Sequence, residues 1–393
     1  MARALELAER ALGISSPNPA VGAVLVKDGR IVGEGWTQPP GQAHAEIVAL
    51  EQAGDAAAGA TMYVTLEPCC HFGRTPPCTD ALIRARVEAV HMAIIDPNPL
   101  VAGGGRRQLD KAGIRTALGE YEREARQLNE GYFKFITRGL PFVAVKWAMT
   151  LDGKIATRTG SSFWVTGESA RARVARLRAL SDAVLVGVGT VLADDPRLTV
   201  RPESFPPALR ERLDPVACRQ PLRVVLDSQA RTPPTARLVS GELPGQTLIL
   251  ITEHAPDERR AALEATAAEV VVVPDLARRV HPAVAMRLLA ERHGITSVLV
   301  EAGGTLVATL LEARLVDKVY AFLAPKLVGG AAAPTPVEGT GCPEMGQAAT
   351  LHDMTVERLG DDVLVAGYLP TAPDDATDGL AVASHAAPNA AGS

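Results

Sequence analysis

Short apolar segments rich in β-branched residues alternate with helix-like segments along most of the chain. The first two, residues 21–27 and 30–37, are joined by Asp28-Gly29, a dipeptide typical of a tight hairpin turn. Further strands are predicted at 61–66, 89–95, 142–148, 183–188, 223–226, 247–251, 269–273, 295–300, 318–323 and 363–369. Helices are predicted at 1–12, 44–52, 75–86, 106–112, 121–137 and 166–180, the last with Thr166 as its N-cap. This alternation predicts an α/β layer fold.

The chain has 393 residues, which is more than one domain of ordinary size. The segment Arg138-Gly139-Leu140-Pro141 contains Gly and Pro, which end a predicted helix. A second series of alternating strands and helices follows it. We therefore expect one domain over 1–141, a second over 142–369 and a disordered tail over 370–393 that is rich in Ala, Asp, Gly, Ser and Pro. The Pro- and Arg-rich stretch 202–221 is expected to form a surface loop.

Composition narrows the class of function. A net charge of −5 and an aromatic content of 4% argue against a nucleic-acid binder, which needs basic grooves and stacking platforms. No apolar run is long enough to span a bilayer, and the N-terminus lacks the apolar core of a secretory signal. We expect a cytoplasmic enzyme with a small-molecule substrate and neither a nucleic-acid nor a membrane partner. Apolar helices in the second half leave a homo-oligomer as a hypothesis.

The sharpest chemical signal is His44-Ala45-Glu46, followed by Pro68-Cys69 and then Cys78. An H-x-E motif followed by P-C is the signature of zinc deaminases. Two thiolates and one imidazole leave a fourth tetrahedral position for water, whose pKa zinc lowers to about 7. Glu46, two residues from His44, is then free to move protons from this water to the ring nitrogen and the leaving amine. The pattern predicts a catalytic zinc site.

Two features of this motif leave alternatives open. Eight residues, rather than the two of the usual signature, separate Cys69 from Cys78. Cys70 or His71 could also supply a fourth ligand, which would make the site a structural one on a non-catalytic scaffold. Glu46 distinguishes a catalytic from a structural zinc site, because a structural site does not need it. We expect Cys70 to be a small buried side chain that does not bind the metal.

The second half contains no G-x-G-x-x-G fingerprint. It has Glu301-Ala302-Gly303-Gly304-Thr305 between a predicted strand and a helix, and a similar Gly187-Val188-Gly189-Thr190. Glycines at a helix start let phosphates approach backbone N–H groups. Basic side chains that could hold a sugar phosphate are Lys146, Lys154, Arg178 and Arg201.

Several motifs together resemble one family. They are Pro17-Asn18-Pro19-Ala20-Val21-Gly22, His44-Ala45-Glu46, Thr65-Leu66-Glu67-Pro68-Cys69, Gly73-Arg74-Thr75-Pro76-Pro77-Cys78, Asp96-Pro97-Asn98-Pro99, and the segments 145–156 and 191–201. Over residues 1–369 the chain resembles the bifunctional riboflavin-biosynthesis deaminase–reductase family, which carries the longer cysteine spacing. The resemblance implies an N-terminal cytidine-deaminase-like three-layer domain followed by a dihydrofolate-reductase-like α/β domain. It also implies zinc-dependent deamination of a diaminopyrimidinone ribosylamino phosphate, then reduction of its ribosyl group to ribityl with NADPH.

The resemblance also implies roles for individual residues. In the deaminase, His44, Cys69 and Cys78 would bind Zn²⁺, Glu46 would be catalytic, and the substrate would contact Asn18, Arg74, Asp96 and Asn98. In the reductase, NADPH would contact Ala148, Trp164, Thr190, Asp194, Ser228, Gly303, Gly304, Thr305, Leu306, Val307, Ala308 and Thr309. The substrate there would contact Lys146, Ser162, Arg178, Leu198, Arg201 and Glu301.

Some points stay open on the sequence alone. Thr37 stands where the family usually has His, so a substrate contact there would be weaker or supplied elsewhere. Lys146 and Glu301 are both candidates for proton delivery in the reduction, and NADPH rather than NADH rests on the resemblance alone. Two competing hypotheses are a single-activity deaminase whose second half has lost its activity, and a nucleic-acid base deaminase. The first is disfavoured by Asp194, Arg201 and Glu301, the second by the acidic composition.

Overall fold

The structure is a computed structural model that describes residues 1–73, 75–201, 205 and 219–370. Arg74, most of the loop expected at 202–221 and the tail expected after residue 370 lie outside the described residues.

The first sheet has five strands in the order β2-β1-β3-β4-β5. They are β1 Gly22–Lys27, β2 Arg30–Trp36, β3 Thr61–Val64, β4 Ala89–Met92 and β5 Arg115–Leu118. β1 is antiparallel to β2 and β3, whereas β3, β4 and β5 are parallel to one another. The predicted hairpin is confirmed, with Asp28 and Gly29 both in the left-handed region at φ values of 50° and 72°.

In the described part of the chain, six helices accompany this sheet: α1 Ala2–Ala8, α2 Ala45–Ala53, α3 Cys78–Arg84, α4 Gly104–Lys111, α5 Glu122–Leu128 and α6 Glu130–Arg138. Short 3₁₀ turns follow α1 and α2 at Glu9–Ala11 and Gly54–Ala57. Helix α2 lies directly on β2, because a Cβ added at Gly33 or Gly35 would sit 2.2 Å from a backbone oxygen of α2. These two glycines therefore set how closely the start of α2, which follows His44, approaches the sheet.

The helix predicted over 121–137 is wrong in one respect, since it is two helices broken at Asn129. The Asn129 side-chain amide binds the backbone of Ala20, accepting its N–H at 2.7 Å and donating to its carbonyl at 2.9 Å. The side chain thus bonds a distant loop, and the chain turns at this residue.

The second sheet has nine strands in the order β10-β9-β8-β7-β13-β6-β14-β16-β15. They are β6 Phe142–Thr150, β7 Ala183–Gly187, β8 Leu222–Leu226, β9 Thr247–Ile251, β10 Glu269–Val272, β13 Ser297–Val300, β14 Lys318–Ala324, β15 His352–Leu359 and β16 Asp362–Tyr368; β11 Asp275–Leu276 and β12 Arg279–Val280 form a separate hairpin. The seven strands from β10 to β14 are parallel, and β16 and β15 are antiparallel. The apolar segments predicted as strands in this half are confirmed as strands, and β7 and β9 are buried along nearly their whole length.

Five described helices belong to this half: α7 Glu168–Leu180, α8 Val188–Asp194, α9 Asp257–Glu264, α10 Pro282–His293 and α11 Gly304–Glu312, with 3₁₀ turns at Arg237–Val239 and Met345–Gln347. The prediction that Thr166 caps α7 is wrong. Gly167 is the N-cap residue, and its N–H donates to the Asp362 carboxylate at 2.7 Å. The carboxylate, from strand β16, holds the residue that precedes α7, and no side chain caps the first turn of the helix.

Helix α6 joins the two sheets through buried charges. Glu130 pairs with Lys318 at 3.1 Å and accepts a hydrogen bond from the Tyr368 hydroxyl at 2.7 Å. One turn later, Lys134 pairs with Asp317 at 2.6 Å. The last helix before the second sheet is therefore fixed to strand β14 of that sheet. Among the described residues, no helix is both long and apolar enough to cross a membrane.

Two candidate active sites

The predicted zinc ligands come together in the first half. His44 is the N-cap residue of α2, Cys69 lies in the loop after β3, and Cys78 is the first residue of α3. Nδ1 of His44 is 3.3 Å from Sγ of Cys78 and 3.6 Å from Sγ of Cys69. Tetrahedral zinc, with bonds of about 2.3 Å to sulfur and 2.05 Å to nitrogen, would separate such atoms by about 3.6 Å. The three donors fit a zinc ion without rearrangement.

Neither alternative fourth ligand joins this group. In the described part of the chain, the donor cluster contains His44, Cys69 and Cys78 only. Sγ of Cys70 instead lies 3.9 Å from the carbonyl oxygen of Leu100, and the residue is half-buried rather than the buried side chain that we expected. Three protein donors leave one tetrahedral position open, which is the arrangement of catalytic zinc sites.

The electrostatics of the cluster favour a thiolate. A hydrogen bond from the Cys78 thiol, together with the His44 imidazole, lowers the pKa of Cys69 to about 4. The N–H of Cys78 also points at Sγ of Cys69, at 3.3 Å. A thiolate is the form of cysteine that binds metal.

Glu46 lies in the first turn of α2 and is only 4% exposed. Burial raises the pKa of its carboxyl to about 6, although the nearby His44 opposes this. A carboxyl with a pKa near neutrality both accepts and returns a proton readily. The structure thus places a buried carboxyl on the same helix start as one of the three donors.

Thr75 is a residue that the sequence did not single out. Its hydroxyl lies 3.4 Å from Nε2 of His44, on the side of the ring opposite the two thiols. A hydrogen bond to the second ring nitrogen fixes the orientation of a ligating histidine. Nothing in the spacing of Thr75 marks this contact, because it depends on how the loop before α3 folds back over α2.

Two of the residues expected at the deaminase substrate site, Asp96 and Asn98, lie in contact. This carboxylate is 5% exposed, accepts the Asn98 N–H at 2.9 Å and accepts the Tyr132 hydroxyl at 3.0 Å. Burial raises the pKa of Asp96, and both hydrogen bonds oppose that rise. Asn18 is half-buried, and Arg74 lies outside the described residues. Tyr132 is a further residue that the sequence analysis missed.

Thr37 has a structural partner. Its side chain is 3% exposed, and its hydroxyl accepts the N–H of Val21 at 3.1 Å, just before strand β1. The hydroxyl thus satisfies the backbone where β1 and β2 separate.

The second half holds a cavity of about 1450 Å³ at the carboxyl ends of its parallel strands, the edge where ligands of open α/β sheets bind. The predicted cofactor residues that line it are Ala148, Trp164, Thr190, Asp194, Ser228, Gly303, Thr305, Leu306 and Thr309. All the predicted substrate residues line it too: Lys146, Ser162, Arg178, Leu198, Arg201 and Glu301. One cavity therefore brings the predicted substrate residues together with most of the predicted cofactor residues, and its size suits two ligands.

Three predicted cofactor residues, Gly304, Val307 and Ala308, do not line the cavity, and their contact with NADPH stays a prediction. Val307 and Ala308 are buried on the inner face of α11, since only one face of a helix borders the cavity. A Cβ added at Gly304 would lie 2.4 Å from the Thr335 carbonyl, so this glycine admits the neighbouring loop. Gly303, in contrast, has open space where a Cβ would be, which leaves the start of α11 accessible to a phosphate.

Glu301 lies beside two cationic side chains of this cavity, those of Arg178 and Lys146. Its side chain is 8% exposed and forms a two-pronged pair with the Arg178 guanidinium, through Nε and through Nη2 at 2.9 Å, while Nζ of Lys146 lies 3.6 Å away. Burial alone would raise the pKa of Glu301, but the two cations lower it to about 2. Arg178 is therefore neutralised by Glu301, whereas Arg201 is exposed at the cavity rim.

Each half of the chain matches the model of a known protein family. Residues 1–94 match the family model "Cytidine and deoxycytidylate deaminase zinc-binding region", and residues 141–365 match "RibD C-terminal domain". The chain belongs to the RibD family. Riboflavin biosynthesis protein RibD of Aquifex aeolicus is 40% identical over 93% of this chain and 96% of its own length, and RibD of Escherichia coli (strain K12) is 45% identical over 84% and 88%.

Solved RibD structures share the whole fold. RibD of Acinetobacter baumannii (form 1) superposes with a TM-score of 0.80 at 37% identity, covering 94% of this chain and 98% of its own. A Thermotoga maritima protein titled diaminohydroxyphosphoribosylaminopyrimidine deaminase/5-amino-6-(5-phosphoribosylamino)uracil reductase gives 0.76 at 34% identity, with coverage of 94% and 97%. The predicted family, the two-part α/β fold and the bifunctional deaminase–reductase activity in riboflavin biosynthesis are thus confirmed.

Proposed function

We propose that this enzyme hydrolytically deaminates 2,5-diamino-6-ribosylamino-4(3H)-pyrimidinone 5′-phosphate, and then reduces the ribosyl group of 5-amino-6-(5-phosphoribosylamino)uracil to ribityl with NADPH. The observation that carries the proposal is the presence in one chain of a three-donor cluster beside buried Glu46 and of a separate cavity of about 1450 Å³ around Glu301. The printed title of the Thermotoga maritima relative supports the choice of substrates.

In the deaminase half, His44, Cys69 and Cys78 would hold Zn²⁺, whose chemistry is to make water nucleophilic near neutral pH. Glu46 takes one proton from the attacking water and gives it to the ring nitrogen. It then takes the remaining hydroxyl proton from the tetrahedral adduct and gives it to the amine, which leaves as ammonia while the carbonyl forms. Asn18, Asp96 and Asn98 orient the pyrimidine through amide and carboxylate groups that match its edge. Arg74, outside the described residues, is proposed as a cation for the phosphate.

In the reductase half, bound NADPH would supply hydride to C1 of the opened ribosyl chain. The nucleotide is held by the predicted cofactor residues that line the cavity, which are Ala148, Trp164, Thr190, Asp194, Ser228, Gly303, Thr305, Leu306 and Thr309. The substrate is held by Ser162, Leu198 and Arg201. Lys146 delivers the proton that accompanies reduction. Glu301 does not, because its pKa of about 2 keeps it ionised at neutral pH.

The proposed division places the deaminase over 1–141 and the reductase over 142–369, since β5 and α6 precede the boundary and β6 of the second sheet follows it. We also propose a cytoplasmic location, where reducing conditions keep Cys69 and Cys78 available for metal.

The proton-transfer role of Glu46 has a direct test with a matched control on the same helix. Glu46→Gln keeps the three donors but removes the proton acceptor, so zinc content stays near one per chain while ammonia release falls by at least about a hundredfold. Glu51→Gln changes an exposed residue of α2 and leaves both unchanged. Full ammonia release by the Glu46 variant would overturn the mechanism.

A further inference from the structure

The turn that carries Asn18 is bonded to the second half of the chain. The hydroxyl of Ser16, two residues before Asn18, donates a hydrogen bond to Oδ2 of Asp182 at 2.9 Å. The Arg219 guanidinium donates to the carbonyl of Gly13 and also to Oδ1 of Asp182, the latter at 2.8 Å. Two points of this turn are thus held by groups of the second half, and both groups meet at the Asp182 carboxylate.

Asp182 is itself fixed where two strands of the second sheet begin. It directly precedes β7 and is 4% exposed. Its Oδ2 accepts both the N–H and the hydroxyl of Thr296, at 2.8 and 2.6 Å. Its N–H donates at 3.0 Å to Oγ of Ser297, the first residue of β13. A buried polar group whose partners are all satisfied is rigid, so Ser16 bonds to a fixed point.

The other end of the turn is held within the first half. Asn129 accepts the N–H of Ala20 at 2.7 Å and donates to its carbonyl at 2.9 Å. Between the two ends, the N–H of Asn18 donates to the carbonyl of Ser15 at 2.8 Å, which closes the turn. Asn18 is therefore held on one side by its own half and on the other side, through Ser16, by the second half.

The contact between the halves lies far from the reductase cavity. Asp182 precedes β7, whereas Gly187, the last residue of the same strand, lines the cavity. Five residues of a parallel strand span about 16 Å. A change at Ser16 therefore alters the turn of the deaminase without reaching the reductase site.

We propose that Asp182 of the reductase half is a positioning residue for the deaminase, which fixes Asn18 through Ser16 and thereby supports binding of the pyrimidine. The inference rests on the substrate contact proposed above for Asn18. An amide that binds a ring edge gives more affinity when it is held in place beforehand, because ordering a mobile turn on binding costs entropy. The deaminase site is then complete only with the reductase half folded beside it.

The test is steady-state kinetics of both activities on the full chain. Ser16→Ala removes the hydroxyl that reaches Asp182, so the KM of ammonia release should rise at least about threefold, as for one lost hydrogen bond, while kcat changes less than about twofold. NADPH oxidation and zinc content should not change. Ser16→Thr keeps a hydroxyl at this position and should retain the KM of the wild-type chain.

Ser297→Ala is the matched control. Its hydroxyl accepts the N–H of Asp182 and does not bond the turn, so its loss lowers stability without raising the KM. The double variant Ser16→Ala/Asp182→Ala should have the KM of Asp182→Ala alone, because both changes break the same bond. If the Asp182 variants do not fold, the comparison of Ser16→Ala with Ser297→Ala decides.

Two results would overturn the inference. An unchanged KM in Ser16→Ala would show that the contact does not position Asn18, and an equal rise in Ser297→Ala would show a general loosening instead. Asn18→Ala separates this failure from that of the proposed function. If Asn18→Ala raises the KM and Ser16→Ala does not, only the positioning role is wrong. If Asn18→Ala leaves the KM unchanged, the proposed substrate contact is wrong and the positioning role falls with it.

Discussion

The hydroxyl of Tyr132 donates a hydrogen bond to Oδ1 of Asp96 at 3.0 Å. Tyr132 lies on α6, between Glu130 and Lys134, whose ion pairs reach strand β14 of the second sheet. The same helix thus supports a residue proposed to contact the deaminase substrate and is fastened to the reductase half.

Removing this hydroxyl should loosen the deaminase substrate site. Tyr132→Phe leaves the buried Asp96 carboxylate with one hydrogen-bond donor fewer. Removing the partner of a buried polar group costs about 1–3 kcal/mol of stabilising free energy. We expect the KM for deamination to rise several-fold while kcat changes little and NADPH oxidation stays unchanged. Steady-state kinetics of both activities check this, with the exposed Tyr121→Phe as control. An unchanged KM in the Tyr132 variant would contradict the proposed role of Asp96.

Metal removal should separate the two activities. The three donors lie wholly in the first half, so a chelator should abolish ammonia release and leave NADPH oxidation of the deaminated substrate intact. Adding zinc back should restore deamination. If chelation stopped both activities equally, the division into independent sites would be wrong.

Arg201 should matter for the reductase alone. Because Arg178 is paired with Glu301, the exposed Arg201 is the predicted cation left to meet the substrate phosphate. Arg201→Ala should raise the KM of reduction about tenfold or more, since a charged contact to a phosphate is lost. Ammonia release, measured on the same preparation, serves as the control and should not change; a parallel fall in both rates would count against the assignment.

The Glu301–Arg178 pair should give a stability contribution that is insensitive to pH near neutrality. The pKa of Glu301 is about 2, below the ordinary value, so the contribution is fully present above about pH 4.3 and is lost as the pH falls towards 2. Glu301→Gln should therefore cost the same, about 3–5 kcal/mol, at pH 8 and pH 6. The cost should shrink near pH 3. Urea unfolding at the three pH values measures it, and a cost that already falls between pH 8 and pH 6 would contradict the low pKa.

The deaminase donors could be predicted from the sequence because the chemistry itself limits which residue types work and how they are spaced. His44, Cys69 and Cys78 are of few and distinctive types, and the structure has His44 and Cys78 at helix starts and Cys69 in the loop after β3. Buried parallel strands were predictable for a similar reason, since apolar runs are the direct consequence of burial on both faces.

What the sequence did not show depends on partners far away along the chain. The break at Asn129 depends on Ala20, and the hydrogen bond of Tyr132 depends on Asp96. The N–H of Gly167, at the start of α7, depends on Asp362 for its acceptor. Strand β15 was missed because its side chains are mostly exposed, so it lacks an apolar pattern. Packing also determines which face of α11 borders the cavity, and the sequence did not show this.

The central claim is that one chain carries two chemically distinct active sites that act in order. The most direct measurement follows purified protein with the diaminopyrimidinone ribosylamino phosphate in two stages, reading ammonia first without nucleotide and then NADPH absorbance after its addition. We predict ammonia release without nucleotide, followed by NADPH oxidation matching the ammonia released. NADPH oxidation without prior ammonia release, or ammonia release followed by no oxidation, would contradict the claim.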